Sequence, residues 1–302
     1  MSPFQKIIKY FAMGFAAFLM VGILTSIVAV VSGLGSGIDT YEINKNYVSF
    51  TKDFDNVKNL NFSNGDKKLT LVSGDTDKVI VEAKNVPDSL EVKVTSDGTL
   101  TIKDRDRFHI SWIIGWSGNW NSDMEIIVTV PRDFTVGKVE LDSGSANMEV
   151  NDLTADNMII DGGSGSFIGR NLSAKKANIS LGSGSTRLDY VKFEKGKMDC
   201  GSGDVKIENA IFRDVDFDGG SGSISYSGQL SGKTSLNCGS GRISFELEGK
   251  REDYNINSDS GSGGIWIDGT RADNYKERNS DVNNEIKIDG GSGRVLINFY
   301  SE

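Results

Sequence analysis

The segment Met198-Asp199-Cys200-Gly201-Ser202-Gly203-Asp204-Val205-Lys206-Ile207 alternates apolar and polar residues on both sides of a Gly-Ser-Gly centre. Nineteen residues earlier the same pattern reads Ile179-Ser180-Leu181-Gly182-Ser183-Gly184-Ser185-Thr186-Arg187-Leu188. Nineteen residues later it reads Phe217-Asp218-Gly219-Gly220-Ser221-Gly222-Ser223-Ile224-Ser225-Tyr226. Working outward, Ser-Gly pairs begin at Ser143, Ser164, Ser183, Ser202, Ser221, Ser240, Ser262 and Ser292, with steps of 21, 19, 19, 19, 19, 22 and 30. With each serine set to zero, the fourth position before it holds Val139, Ile160, Ile179, Met198, Phe217, Leu236, Ser258 and Ile288. The third position after it holds Ala146, Phe167, Thr186, Val205, Ile224, Ile243, Ile265 and Val295. Period-two alternation on both sides of a turn is the signature of two strands joined at a corner.

One unit of this length cannot bury its own apolar face, so the units must stack. Stacking lines up like residues in columns about 4.8 Å apart, each strand bonding to the coil above and below. The expected fold is therefore all-β: a parallel β-solenoid, β-helix-like, with repeats of about 19 residues. A globular sandwich also offers short strands but does not require a fixed period. Glycines at the corners are expected to supply positive φ. The last step, stretched to 30, reads as a polar loop over 268–284 inserted into a linear stack. Cys200 and Cys238 occupy the same position two units apart, so their Cα atoms should lie about 9.6 Å apart, two strand spacings. That is beyond disulfide reach, which predicts two buried free thiols.

Before the repeat, strand-like runs (Leu69-Thr70-Leu71-Val72, Val79-Ile80-Val81) are separated by turn signals such as Asn64-Gly65 and Asp97-Gly98. The domain reading is residues 1–9 cytoplasmic N-terminus, 10–35 transmembrane helix, 36–44 linker, 45–138 N-terminal β region and cap, and 139–302 repeat solenoid. The helix rests on residues 10–38 having no charged side chain, enough apolar length to span a bilayer. Lys6 and Lys9 precede it while Asp39 and Glu42 follow, which orients a single-pass anchor with the C-terminal domain extracytoplasmic. A cleaved signal peptide is the rival, but its apolar region would be shorter.

The net charge of −9 excludes a nucleic-acid partner, which needs clustered cations. Two cysteines and one histidine, His109, cannot make a four-ligand zinc site. No Walker loop, dinucleotide fingerprint or metalloprotease helix is present. The Ser-Gly pairs recur at every corner and so are not nucleophile elbows. No cofactor, metal or catalytic residue is expected. Corners beginning at Asp161, Asp218 and Asp289 resemble a calcium-binding nonapeptide but carry Phe167, Ile224 and Val295 where its second Asp belongs.

Two features remain as an interaction surface. Residues 108–120 contain Trp112, Trp116 and Trp120, read either as a hairpin plugging the core or as an exposed aromatic loop touching bilayer or glycan. The third position before each serine holds Glu140, Asp161, Ser180, Asp199, Asp218, Asn237, Asp259 and Asp289, an outward acidic ladder. Either these acids accept corner N–H groups as Asx turns do, or the ladder binds divalent cations or a cationic polymer.

The corners Asp142-Ser143-Gly144-Ser145, Gly182-Ser183-Gly184, Gly201-Ser202-Gly203 and Gly239-Ser240-Gly241, with the strand end Val128-Thr129-Val130-Pro131, resemble a bacterial family called putative adhesins, formally a domain of unknown function. The resemblance covers roughly residues 45–300 and implies a β-repeat fold at the cell surface, without catalytic residues. The expected function is a membrane-anchored cell-envelope interaction module. Its partner would be a cell-wall or surface glycan or a membrane protein. The alternative is a regulatory or structural envelope-stress protein binding a membrane partner. A polysaccharide-acting β-helix enzyme, needing paired catalytic carboxylates in a groove, is a third reading.

Overall fold

A computed structural model describes residues 46–104 and 123–301, all within one unit, 46–302, apart from residues 1–45. The anchor, the linker and the 108–120 segment with His109 lie outside the described residues. Among those described, no helix is long and apolar enough to cross a membrane.

The described chain is all-β, and its central pairings are parallel at a spacing of nineteen residues. Ile179 stands opposite Met198, Met198 opposite Phe217, and Phe217 opposite Leu236. After the corner, Phe167, Thr186, Val205, Ile224 and Ile243 form a second file. These residues alternate with exposed or half-buried neighbours, as in Asp204–Arg213 and Ser223–Ser231. Their side chains fill a continuous core, in which Phe193 stacks on Phe212 and Tyr226 on Phe245, each pair with centroids 4.9 Å apart. That distance matches the coil spacing, so ring stacking and backbone pairing have the same period. Cys200 and Cys238 are free and buried, with Gly219 at the equivalent position between them.

Three expectations are corrected. In the first repeat Asp142 pairs with Asp161 and Leu141 with Ile160, so Ser145, not Ser143, is the counterpart of Ser164. The 21-residue step is thus a 19-residue coil whose corner reads Ser-Gly-Ser. Positive φ occurs at the glycine preceding the column serine (Gly144, Gly163, Gly201 and Gly291). The glycine following it is needed for close approach instead: a Cβ on Gly203 or Gly222 would collide with the carbonyl oxygen of the equivalent glycine one coil below.

The third correction concerns coil order. Leu236 pairs with Ile288 and Ile243 with Val295, while Ser258 pairs with Ile288 and Ile265 with Val295. The C-terminal coil, 284–300, therefore lies between coil 233–248 and coil 254–267. The stretch read as an insertion loop carries Thr270–Arg271 and Lys276–Glu277, short antiparallel strands on the outer coil. The N-terminal end does the same. Asn59–Ser63 and Lys68–Gly74 lie between 135–151 on one side and Thr99–Asp104 and Glu125–Pro131 on the other. Antiparallel strands Val79–Pro87 and Leu90–Val94 then cover this end, with Tyr47–Phe54 outside Val79–Pro87. Parallel pairing thus runs without a break across the 138/139 boundary.

A second corner sits where the sequence suggests only an irregular return. Asp152, Asn171, Tyr190 and Asn209 recur every nineteen residues with φ of 55°, 53°, 53° and 52°. Asp and Asn tolerate this left-handed conformation better than most residues. Asn171 donates to the Asp152 carboxylate at 2.7 Å, joining two successive corners.

Candidate functional site: the serine corner groove

The column serines face solvent at the corner. Ser164, Ser183, Ser202, Ser221, Ser240, Ser292 and Ser262 are all exposed. Backbone bonds hold them in line. The amide of Ser202 donates to the Gly182 carbonyl at 3.0 Å, Ser221 to Gly201 at 2.9 Å, Ser240 to Gly220 at 2.9 Å and Ser292 to Gly239 at 2.9 Å. Because the flanking glycines have no side chains, the corner forms an open groove of about 720 Å³ across the coils of Ser202, Ser221, Ser240, Ser292 and Ser262.

One wall of the groove is the file two residues after the serines. In spatial order it reads Asp204, Ser223, Arg242, Arg294 and Gly264. The Ser223 hydroxyl donates to the Asp204 carboxylate. Arg242 and Arg294 are exposed, directly opposite one another on adjacent parallel strands. Like charges directly opposite one another on adjacent strands are destabilising. Trp266, half-buried, folds its ring over Gly264 and carries the Arg294 guanidinium 5.1 Å from its centroid, with that of Arg271 at 5.8 Å. Arg271 also pairs with Asp273. Among the described residues no carboxylate forms an ion pair with Arg242 or Arg294.

Seven of the eight residues read as the acidic ladder fall in one file, Asp161, Ser180, Asp199, Asp218, Asn237, Asp289 and Asp259, and Asp142 stands at its start. Glu140 is not in it; it pairs with Ile159, two positions away. Local bonds offset the repulsion. Gly144 N–H donates to Asp142 Oδ1 at 3.3 Å, Gly163 to Asp161 at 3.3 Å and Gly291 to Asp289 at 3.2 Å, the geometry of Asx turns. Asn237 donates to Asp218 at 2.6 Å and Lys197 pairs with the same carboxylate. Partial burial pushes the Asp218 pKa up, but the bonds from Lys197 and Asn237 outweigh it and leave the group below its ordinary value. Among the described residues no group of three or more His, Cys, Asp or Glu side chains is arranged to hold a metal. Burial, helped by the carboxylates of Asp199 and Asp218, pushes the Cys200 thiol up to about 12, so it is no nucleophile at neutral pH. Trp112, Trp116 and Trp120 lie outside the described residues.

Sequence reasoning missed Arg242, Arg294 and Trp266. The available signal was positional: both arginines stand two residues after a column serine, and Trp266 stands four after one.

A putative adhesin from Bacteroides fragilis is 14% identical, with a TM-score of 0.47 over 85% of this chain and 98% of its own. A structure described as a putative lipid binding protein from Parabacteroides distasonis is 17% identical, with a TM-score of 0.46 over 84% and 97%. A putative adhesin from Parabacteroides merdae is 13% identical, with a TM-score of 0.35 over 84% and 97%. No curated protein matches the chain. The family model described as Toastrack DUF4097 matches residues 57–298, nearly all of the repeat region and the strands before it, and the chain belongs to that family.

Proposed function

We propose that this protein is a non-catalytic interaction module of the bacterial cell envelope, held at the membrane by residues 10–35 with its β coils outside, and that it binds a surface glycan along the serine corner. The observation carrying this reading is the groove itself. It is long, open and polar, it repeats with the coil, and the backbone ladder on either side of it keeps its donors and acceptors in fixed positions. Rigid presentation limits the entropy lost on binding an extended chain. The titratable groups lining the groove are Asp204, Arg242 and Arg294.

The test is retention of the full-length chain, in detergent, on isolated cell-wall material. Ser221→Trp with Ser240→Trp fills the groove from exposed positions and should abolish retention while leaving the circular dichroism spectrum unchanged. A parallel variant with Trp112, Trp116 and Trp120 changed to Ala asks whether the aromatic segment contributes. Equal retention by native and groove-filled protein would remove the groove from the function. Capture of a membrane protein in place of wall polymer would favour the envelope-stress alternative.

A further inference from the structure

The arginine file gives the groove a chemical preference. We propose that its C-terminal end binds the acid groups of an anionic polysaccharide. Arg242 and Arg294 take the carboxylate or phosphate, and the serines on successive coils take sugar hydroxyls. This inference rests on the groove reading above and names its ligand class.

Three observations converge on it. First, two exposed guanidiniums occupy adjacent coils and no carboxylate among the described residues pairs with either, although the chain carries a net charge of −9. An oxyanion shared between them would turn a repulsive pair into a favourable site, and the planar guanidinium fork matches carboxylate and phosphate geometry. Second, the Trp266 ring lies over Gly264, the direct neighbour of Arg294, and holds that arginine's guanidinium in cation–π contact at 5.1 Å. An indole beside guanidinium groups suits a sugar ring, which offers an apolar face with acid and hydroxyl groups at its edge. Third, the serine hydroxyls repeat at the coil spacing of about 4.8 Å, a distance comparable to one pyranose residue. Successive sugars would therefore meet equivalent donors.

The same geometry disfavours nucleic acid. A strand with a phosphate on every nucleotide would carry charge past Asp204, where no arginine lines the groove beside it. A polymer with sparser acids, or with its acids gathered at the arginine end, meets no such conflict.

The test uses the full-length chain in detergent on three immobilised polymers: hyaluronate, in which only alternate sugars carry a carboxylate, phosphomannan and neutral dextran. Retention is expected on at least one acidic polymer and not on dextran, and it should fall as salt is raised. Arg242→Gln with Arg294→Gln should weaken it at least tenfold, whereas Arg242→Lys with Arg294→Lys should recover part of it. Both arginines are exposed, so these variants keep the fold, and an unchanged thermal transition verifies this. Retention on hyaluronate alone assigns carboxylate as the ligand, and on phosphomannan alone phosphate. Equal retention on dextran, or no loss in the glutamine variant, would overturn the anion assignment while leaving the groove reading intact. Retention on none of the three, by a chain that also fails to bind wall material, would overturn both.

Discussion

The out-of-sequence coil order at the C-terminal end can be tested by cross-linking. Ser235 and Lys287 stand opposite one another on adjacent parallel strands, and Lys287 also stands opposite Asn257 on the next coil out. Adjacent coils are about 4.8 Å apart, so Ser235 and Asn257, two coils apart, are about 9.6 Å apart. A disulfide needs Cα atoms within about 7 Å. In a background where Cys200 and Cys238 are changed to Ala, Ser235→Cys with Lys287→Cys should oxidise to an intramolecular disulfide. Ser235→Cys with Asn257→Cys should stay reduced. The first bond closes a loop of about fifty residues, for which chain entropy gives an upper bound near 4 kcal/mol of stabilisation. Non-reducing electrophoresis and peptide mass mapping read the bond, and urea unfolding with and without reductant reads the stabilisation. A linear stack would put coil 254–267 directly on coil 233–248 and give the opposite pattern. A disulfide in the 235/257 pair, with none in the 235/287 pair, would refute the interleaved order.

Gly222→Ala drives a methyl group into the Gly203 carbonyl across the coil boundary. It should cost about 1–3 kcal/mol as an overpacking strain, whereas Ser221→Ala beside it should leave the unfolding free energy from urea titration within about 0.5 kcal/mol of native. Phe217→Ala removes a fully buried ring in contact with Phe212, Tyr226 and Phe245, and should destabilise by about 3–5 kcal/mol in the same assay. Alkaline pH should destabilise the domain. Burial pushes Cys200 up to about 12 from 9.0, Tyr254 up to about 12 from 10.0, and Tyr226 upward as well. Each group keeps its proton in the folded state after the unfolded chain has released it. Stability is therefore whole below about pH 9 and falls toward pH 12, with a slope of roughly 1.4 kcal/mol per pH unit for each group. Cys200→Ala should flatten that slope between pH 9 and 11, and an unchanged slope would show that the thiol does not titrate differently on unfolding.

The inward files of the central coils were legible because alternation and period are both local. Ile179, Met198, Phe217 and Leu236 can be aligned by counting alone, and the structure pairs each with the next. The acidic file was legible for the same reason except at its first member, where the two-residue slip at Ser143 put Glu140 in the place of Asp142. The ends were not, because register and spatial order are separate properties. Ile288 carries the right residue type to dock on either side of Leu236, and a step of 22 or 30 residues preserves the register in both cases. The order depends on connections the pattern does not encode, including the turn at Arg251–Asp253 held by the Arg251 bonds to Glu277 and Tyr275. The corner at Asp152, Asn171, Tyr190 and Asn209 escaped notice because an aromatic residue interrupts an otherwise readable Asp/Asn series. The candidate site was hidden by the same ambiguity, since Arg242 and Arg294 lie 52 residues apart and become neighbours only once coil order is known.

Interleaving at both ends bears on stability and on chemistry together. A solenoid that simply stopped would leave its last coil with one unpaired edge and one free chain end, open to fraying and to pairing with other molecules. Here the inserted coils, 59–74 and 284–300, are bonded on both edges. The outermost coils are continuous with the chain at both of their ends, and antiparallel strands lie against their outer edges. In a linear stack the file would run Arg242, Gly264, Arg294, with the Trp266 ring between two separated cations. Insertion of the final coil instead sets Arg294 beside Arg242 and moves Trp266 to the far side of the pair. The paired guanidiniums on which anion binding depends are therefore a product of chain topology. Any change that restored linear order would dissolve the site without altering one of its residues.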